Sequence, residues 1–255
     1  MIDIHSHVIP GIDDGAGDIE TALEMLKIAQ EDGIKTIVAT PHFYRNKFEC
    51  NLEEVKKHLE NLKAAVKKEN IAIEIIQGQE VYIDKCTTEL YKEGIIGTIN
   101  GSKYMLIETS LTGAKPKDLM DNIYELKLLG ITPIIAHPER YQFIIKDNME
   151  INQFIKEECL FQITSTSVQG FFGKEVKNTA ENLIKNGICN FLGSDAHTTG
   201  RRCPKIKEAF EDVKRLNEDV YEIITKNSKA LLNNEDINLK MGYISKKKKF
   251  FEFWK

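Results

Sequence analysis

The sequence predicts an α/β fold whose parallel sheet closes into a barrel. Three observations carry this. Short apolar runs alternate with amphipathic stretches, and strands alternating with helices imply parallel pairing. Seven such units follow one another with few long gaps, which suits closure better than an open sheet. The Gly-rich phosphate loops of open doubly wound sheets, G-x-G-x-x-G or the Walker type, do not occur.

IDI is the first strand. DIETALEMLKIAQEDG follows with Ile19, Ala22, Leu23, Leu26 and Ala29 at helical spacing. Asp18 suits its N-cap and Gly33 its stop. KTIVAT reads as a buried second strand. NLEEVKKHLENLKAAVKKEN is a helix with Asn51 and Glu54 spaced as a capping box, and its stripe is Leu52, Val55, Leu59, Leu62 and Val66. IAIEIIQGQE is strand three, followed by a short helix around Lys85–Lys92 and a Gly-rich loop. KYMLIE is strand four. PKDLMDNIYELKLLG is a helix with Pro116 in its first turn and Gly130 at its end. TPIIAH and FQITS are strands five and six. KEVKNTAENLIKNG is a helix stopped at Gly187, and CNFLGSD is strand seven. The stretch from Lys205 to Asn233 is helical with breaks.

One domain is expected over residues 1–243, followed by a tail over 244–255. The tail, ISKKKKFFEFWK, reads either as a solvated terminus or as a basic-aromatic segment for peripheral contact with an anionic membrane. No run approaches the ~18 apolar residues of a membrane span. MIDIH lacks the basic and apolar regions of a signal peptide, so a cytoplasmic location is expected. A net charge of -4 argues against a nucleic-acid binder. The five cysteines, Cys50, Cys86, Cys159, Cys189 and Cys203, are scattered and odd in number, which fits free thiols. None is followed six residues on by arginine, so a C-x5-R cysteine phosphatase loop is absent.

The chemistry gathers at strand ends. After the seven strands come His5-Ser6-His7, Thr40-Pro41-His42, Gln79-Glu80, Glu108, His137-Pro138-Glu139-Arg140, Thr164-Ser165 and Ser194-Asp195-Ala196-His197. Five of the six histidines lie there, and His58, beside lysines on a helix, reads as a surface residue. The C-terminal rim is where parallel barrels carry their active sites. Glu80 and Glu108 cap apolar strands, where unpaired carboxylates are costly. A metal cluster explains the group together. Imidazole and carboxylate ligands without cysteine suit Mn, Fe, Zn or Mg. His5 and His7 are two apart on a strand and so face one side.

MIDIHSH, the DDG at Asp13–Gly15, ATPH, GQE, LIE, IAHPER and SDAH recur in that order. Together they resemble the polymerase-and-histidinol-phosphatase (PHP) superfamily. More narrowly, they are similar to the bacterial manganese-dependent tyrosine-protein phosphatases encoded with capsule and exopolysaccharide genes, above all the Bacillus-type branch with its basic, Phe-rich tail. The resemblance covers roughly residues 1–240. It implies a distorted (β/α)7 barrel with a trinuclear metal site, Mn2+ before Fe, Mg or Zn. By motif, His5, His7, Glu80 and Asp195 would hold the first metal. Glu80 would bridge to a second held by Glu108 and His137. Asp14, His42 and His197 would take the third, with Asp14 preferred over Asp13.

A metal-bridging hydroxide would be a nucleophile available near neutral pH. Arginine's planar fork matches phosphate. Arg140 is one candidate, and in TTGRRCP offset favours Arg202 over Arg201. Phenol, with a pKa of about 10, leaves with less protonation than an alkoxide. The implied substrate is a phosphotyrosine protein, a bacterial tyrosine kinase. The competing expectations are a small-molecule phosphatase such as one for histidinol phosphate, a catalytically dead kinase-docking scaffold, and a metal nuclease.

Overall fold

The computed structural model describes residues 1–239 and 241–245. Seven strand positions run round a barrel, and two of them are broken. β1 (Ile2–Ser6) pairs in parallel with β2 (Thr36–Ala39), and β2 with β4 (Glu74–Gln77). β3 (His42–Phe43) pairs with β5 (Glu80–Tyr82), and the sheet continues through β6 (Tyr104–Glu108), β7 (Thr132–Ala136), β8 (Leu160–Thr164) and β9 (Phe191–Gly193), all parallel. The expected strand two, KTIVAT, is β2, and beyond Thr40–Pro41 the chain resumes pairing as β3, which was not anticipated. Strand three is β4 and β5, interrupted at Gly78–Gln79. The ladder survives both breaks. Gly78 N donates to Ala39 O at 2.9 Å and Glu80 N to Pro41 O at 3.0 Å. Pro41 has no N–H to give back.

β9 closes onto β1. His7 N donates to Ala196 O at 2.8 Å, and Asp195 N donates to His5 O at 2.9 Å. The strand residues alternate between two apolar clusters. Ile4, Val38, Tyr104, Leu106, Ile134, Leu160 and Phe191 fill the lumen and its lower mouth with Ala230 and Leu231. Their neighbours Ile37, Met105, Ile107, Ile135, Phe161, Ile163 and Leu192 pack outward against the helices.

The helices surround this barrel. α1 (Ile19–Asp32) starts on Asp18, whose side chain accepts from Thr21 N, and stops at Gly33 with φ of 90°. α2 (Leu52–Lys68) carries the expected capping box and buries Val55, Leu59, Leu62 and Val66, each worth ~1.5–3 kcal/mol. α3 (Thr87–Lys92) matches the short helix. α4 (Leu119–Leu128) begins later than expected, because Pro116 heads a separate turn in which Leu119 N donates to Pro116 O at 3.3 Å. α5 (Gln142–Lys146), α6 (Ile151–Lys156) and α7 (Ser165–Val168) were not anticipated. They are too short for a helical period to show. α8 (Lys174–Lys185), α9 (Lys207–Leu216) and α10 (Glu218–Leu232) complete the ring.

Beyond α10 the chain stays tied to the body at Ile244. Its N–H donates to Asn152 Oδ1 at 2.9 Å, and its carbonyl accepts from Asn152 Nδ2 at 2.8 Å. Residues 246–255, most of the basic-aromatic tail, lie outside the described residues. No helix among the described residues is long and apolar enough to cross a membrane.

Gly193 marks where the lumen narrows below the rim. A Cβ there would stand 2.8 Å from His5 Cβ and 3.0 Å from Gln162 Nε2. Gly193→Ala should therefore lower unfolding stability by about 1–3 kcal/mol, as overpacked cores do, read from urea denaturation.

Candidate metal centre

His5 and His7 reach the rim because β1 slips. Its register with β2 shifts between Asp3 and Ser6. Ile4 can then fill the lumen while His5 and His7 face the cleft above it. Asp3 holds that slip. Its Oδ1 accepts from His5 N at 3.2 Å and from Ser194 N at 2.9 Å, tying the first strand to the end of β9. Two rim residues, His137 and Asp195, have left-handed backbones, with φ of 34° and 51°. Non-glycine residues rarely hold such angles, and they cluster at functional sites.

Glu80 stands at the centre, fully buried. Its Oε2 lies 3.1 Å from His5 Nε2, 3.2 Å from His7 Nε2 and 3.2 Å from His42 Nδ1. Its Oε1 lies 2.9 Å from His137 Nε2. Glu108 Oε1 is 3.3 Å from His42 Nδ1. Asp195 Oδ1 faces His5 at 3.6 Å, His7 at 3.5 Å and His197 Nδ1 at 3.5 Å. Asp14 Oδ1 is 3.5 Å from His42 Nε2 and 3.4 Å from His197 Nε2. All nine expected positions converge. Three sets have donor atoms close enough to share an ion: His5, His7, Glu80 and Asp195; His42, Glu80 and Glu108; and His7, Asp14, His42 and His197. The first is the set expected for one metal. In the others His42 offers one ring nitrogen to each side, and His7 joins the set around Asp14.

The donors fit cations. Glu80 Oε2 and His42 Nδ1 are buried without a hydrogen-bond partner among the described residues, although they face each other. Buried polar atoms are otherwise nearly always satisfied. An oxygen ringed by three imidazole nitrogens at such distances is placed as an ion's ligand would be.

Supporting groups fix the rings, as they do in metal sites. Asp13 Oδ2 lies 2.7 Å from His7 Nδ1 and accepts from His42 N at 3.0 Å. Asp13 thus orients His7 from behind, while Asp14 faces the cluster. Gln162 Oε1 is 2.9 Å from His5 Nδ1 and accepts from His137 N at 3.2 Å. Sequence reading missed Gln162 and Asp3. Only their inward register on apolar strands could have flagged them.

Arg140 Nη1 and Arg202 Nη2 meet at Asp195 Oδ2, at 2.6 and 2.9 Å. Arg201 turns away, with its guanidinium 4.3 Å from the Phe171 ring centre. Arg140 lies 4.4 Å from that of Phe172. Above the cluster opens a cleft of about 280 Å³, lined by Asp14, His42, Arg140, Asp195, His197 and Arg202 together with Tyr44, Lys47, Tyr82 and Leu111.

The charges are strongly coupled. Burial would lower the His5 imidazole, but the Glu80 carboxylate outweighs it and raises it to about 9. The same contest, with Glu108 and Asp14 adding to Glu80, lifts His42 to about 10. Burial and then the charge of His7 push His197 down to about 4. Burial opposes ionisation of Glu80 and Asp195, yet both sit well below the usual carboxylate range, Glu80 through His5 and His42, Asp195 through His5, Arg202 and Arg140.

The model of the capsular polysaccharide synthesis family CpsB/CapC matches residues 1–233. The chain belongs to that family. Tyrosine-protein phosphatase YwqE of Bacillus subtilis is 33% identical to this CpsB/CapC chain over the full length of both. The crystal structures of YwqE from Bacillus subtilis and CpsB from Streptococcus pneumoniae, described as metal-dependent tyrosine phosphatases, include a match with TM-score 0.91 and 31% identity. It covers 96% of this chain and 100% of that one. Histidinol phosphate phosphatase from Lactococcus lactis, solved with zinc, L-histidinol and phosphate, shares the fold at TM-score 0.53 and 15% identity, over 86% and 93% of the two chains. The distorted (β/α)7 barrel expected from the sequence is therefore the fold of this chain.

The protonation states have a testable sign. In metal-free protein, His5 and His42 titrate above their ordinary ~6.5. The stability they contribute is full below that value and is lost as pH rises through about 9 and 10. Urea denaturation with a chelator should show stability falling as pH rises from ~6.5 through about 9 and 10. Saturating metal should remove that fall, because metal binding displaces those protons.

Proposed function

We propose that this chain is a metal-dependent protein-tyrosine phosphatase, a phosphoric monoester hydrolase of the capsular polysaccharide family, with manganese as its metal. The observation that carries the reading is the buried, unpartnered Glu80 Oε2 among three imidazole nitrogens, with two arginines converging next to it. The family supplies the reaction, and its relatives bear that name. A nitrogen-rich donor set with carboxylates and no cysteine supports Mn2+ before Mg2+, with Fe and Zn as the nearer competitors.

His5, His7, Glu80 and Asp195 would hold one ion. Glu80, Glu108 and His42 would hold a second, with His137, 2.9 Å from Glu80 Oε1 but outside the three sets, at their edge. Asp14, His42 and His197 would hold the third. Bound there, the ions supply Lewis acidity and an activated water near neutral pH.

The chain's own residues do the rest. Arg140 and Arg202 point their forks into the cleft from Asp195 Oδ2, where a phosphate's oxygens would replace part of that pairing. Asp195 divides its carboxylate, Oδ1 toward the imidazoles and Oδ2 toward the arginines, so it locks both groups in one frame. His197, kept neutral, keeps a lone pair for a metal or a proton from water. The leaving tyrosinate has a pKa of about 10, so weak proton donation from solvent at the open cleft is enough. The proposed substrate is a phosphotyrosyl protein, a bacterial tyrosine kinase of the capsule machinery. It would be met in the cytoplasm, with the tail as peripheral membrane contact.

Glu80→Ala or His7→Ala should abolish turnover of phosphotyrosyl peptide and lower bound metal, measured by elemental analysis on the same preparation. Arg140→Ala should keep its metal but lose about a hundredfold or more in kcat/KM, in the range of removing one charge-stabilising donor. Arg201→Ala should stay near wild type. Preference for histidinol phosphate over the peptide would sink the tyrosine-phosphatase reading. Absence of both metal and aryl phosphate turnover would make the chain a docking scaffold.

A further inference from the structure

We propose that Tyr44 and Tyr82 form an aryl subsite that seats the phenyl ring of the substrate and sets its preference for aryl over alkyl phosphomonoesters. The proposal rests on the phosphatase reading above. β3 and β5 pair with His42 opposite Glu80 and Phe43 opposite Val81. Residues two apart on a strand share a face, ~6.6 Å apart. Tyr44 and Tyr82 therefore stand above His42 and Glu80, one rung nearer solvent. That step is about the reach from a phosphorus atom to the far side of the ring it esterifies. The two tyrosine rings stack with centroids 4.0 Å apart and planes 3° from parallel, and both line the cleft that holds Arg140 and Arg202.

The wall is built to stay in place. The turn beyond β3 is closed by Tyr44 N donating to Phe48 O at 2.6 Å and Phe48 N donating to Tyr44 O at 2.8 Å. Asn46 supplies its left-handed corner, with φ of 63°. Phe48 lies flat against the His42 ring, 5.7 Å between centroids and 10° between planes. One aromatic turn thus supports both the candidate ligand His42 and the wall. Leu111 adds an apolar contact from the opposite loop. A phosphate needs none of this: its partners are arginines and cations. The pair is half-buried, with Lys47 Nζ 5.6 Å from the Tyr44 ring centre, and an apolar ring that covers its remaining open edge beside the anion site gains by that contact.

The test uses the metal-loaded full chain and two non-hydrolysable probes, phenylphosphonate and methylphosphonate. Wild type should bind phenylphosphonate more tightly than methylphosphonate. Tyr44→Ala and Tyr82→Ala should each weaken phenylphosphonate about threefold to tenfold, the range for one aromatic pair. Binding of methylphosphonate and inorganic phosphate should not change. Tyr82→Phe should retain the preference. For phenyl phosphate the loss should fall on KM with kcat kept. If an alanine variant also loses phosphate, Tyr82→Leu keeps the bulk and decides by the same comparison. Equal affinity for both phosphonates in wild type, or an unchanged ratio in the variants, overturns the subsite while leaving the phosphatase reading intact. A ring preference that the variants remove, in a protein that hydrolyses no phosphomonoester, sustains the subsite and sinks the phosphatase reading.

Discussion

Glu80 places a carboxylate with no access to water among four imidazoles. Such a charge is expensive to bury alone, and among the described residues no lysine or arginine pairs with it. Its compensation comes from His5, His7, His42 and His137, delivered by three local devices. β1 needs a register slip to aim His5 and His7 upward. β3 breaks from β2 at Pro41 so that His42 can stand opposite Glu80. His137 takes a left-handed backbone at the end of β7. Asp13 then fills the gap left where β3 departs from β1, taking both His7 Nδ1 and the freed His42 N–H. The distortion of the barrel and the arrangement of the rim have the same cause.

The strand ends were legible in the sequence because each falls between an apolar run and a helix signal. Position at the C-terminal rim was enough to collect His5, His7, His42, Glu80, Glu108, His137, Asp195 and His197. The capping box at Asn51 and the stops at Gly33 and Gly187 were legible because caps are local chemistry. The breaks at Pro41 and Gly78 were not, since Thr40-Pro41-His42 and Gln77-Gly78-Gln79-Glu80 read as strand ends and carry no local sign that pairing resumes beyond them. Gln162 and Asp3 look like ordinary polar residues within FQITS and IDI. Their meaning depends on what the fold places opposite them. Asp13 and Asp14 are adjacent and chemically alike, and only geometry separates the residue behind His7 from the one facing His42 and His197. The same holds for Arg201 and Arg202. A one-residue offset sends the first onto Phe171 and the second onto Asp195.

Asp195 joins two kinds of electrostatics. One oxygen faces imidazoles that change charge when a metal arrives, and the other holds two guanidiniums that never lose theirs. A substitution at Asp195 therefore disturbs metal affinity and phosphate geometry together. One at Arg140 disturbs only the second. The aromatic layer above adds a third, uncharged level, and Phe172 against Arg140 extends it to the arginine side. From the lumen outward the cleft runs from buried carboxylate to imidazole, then to guanidinium and aromatic ring. An aryl phosphate presents the matching order, anion inward and ring outward.

The closing contacts of the barrel are also contacts of the site. His5 and His7 lie on the first strand, and Asp195 and His197 follow the last. Backbone bonds between Asp195 N and His5 O and between His7 N and Ala196 O bring them together, with Asp3 bridging to Ser194 N. These candidate ligands stand far apart in sequence, at positions 5 and 7 against 195 and 197, so the unfolded chain has no preformed centre. Any cation bound across this seam therefore favours the closed barrel over every open form by its full binding free energy. The metal's role in holding the fold then follows from topology, independently of the reaction it serves.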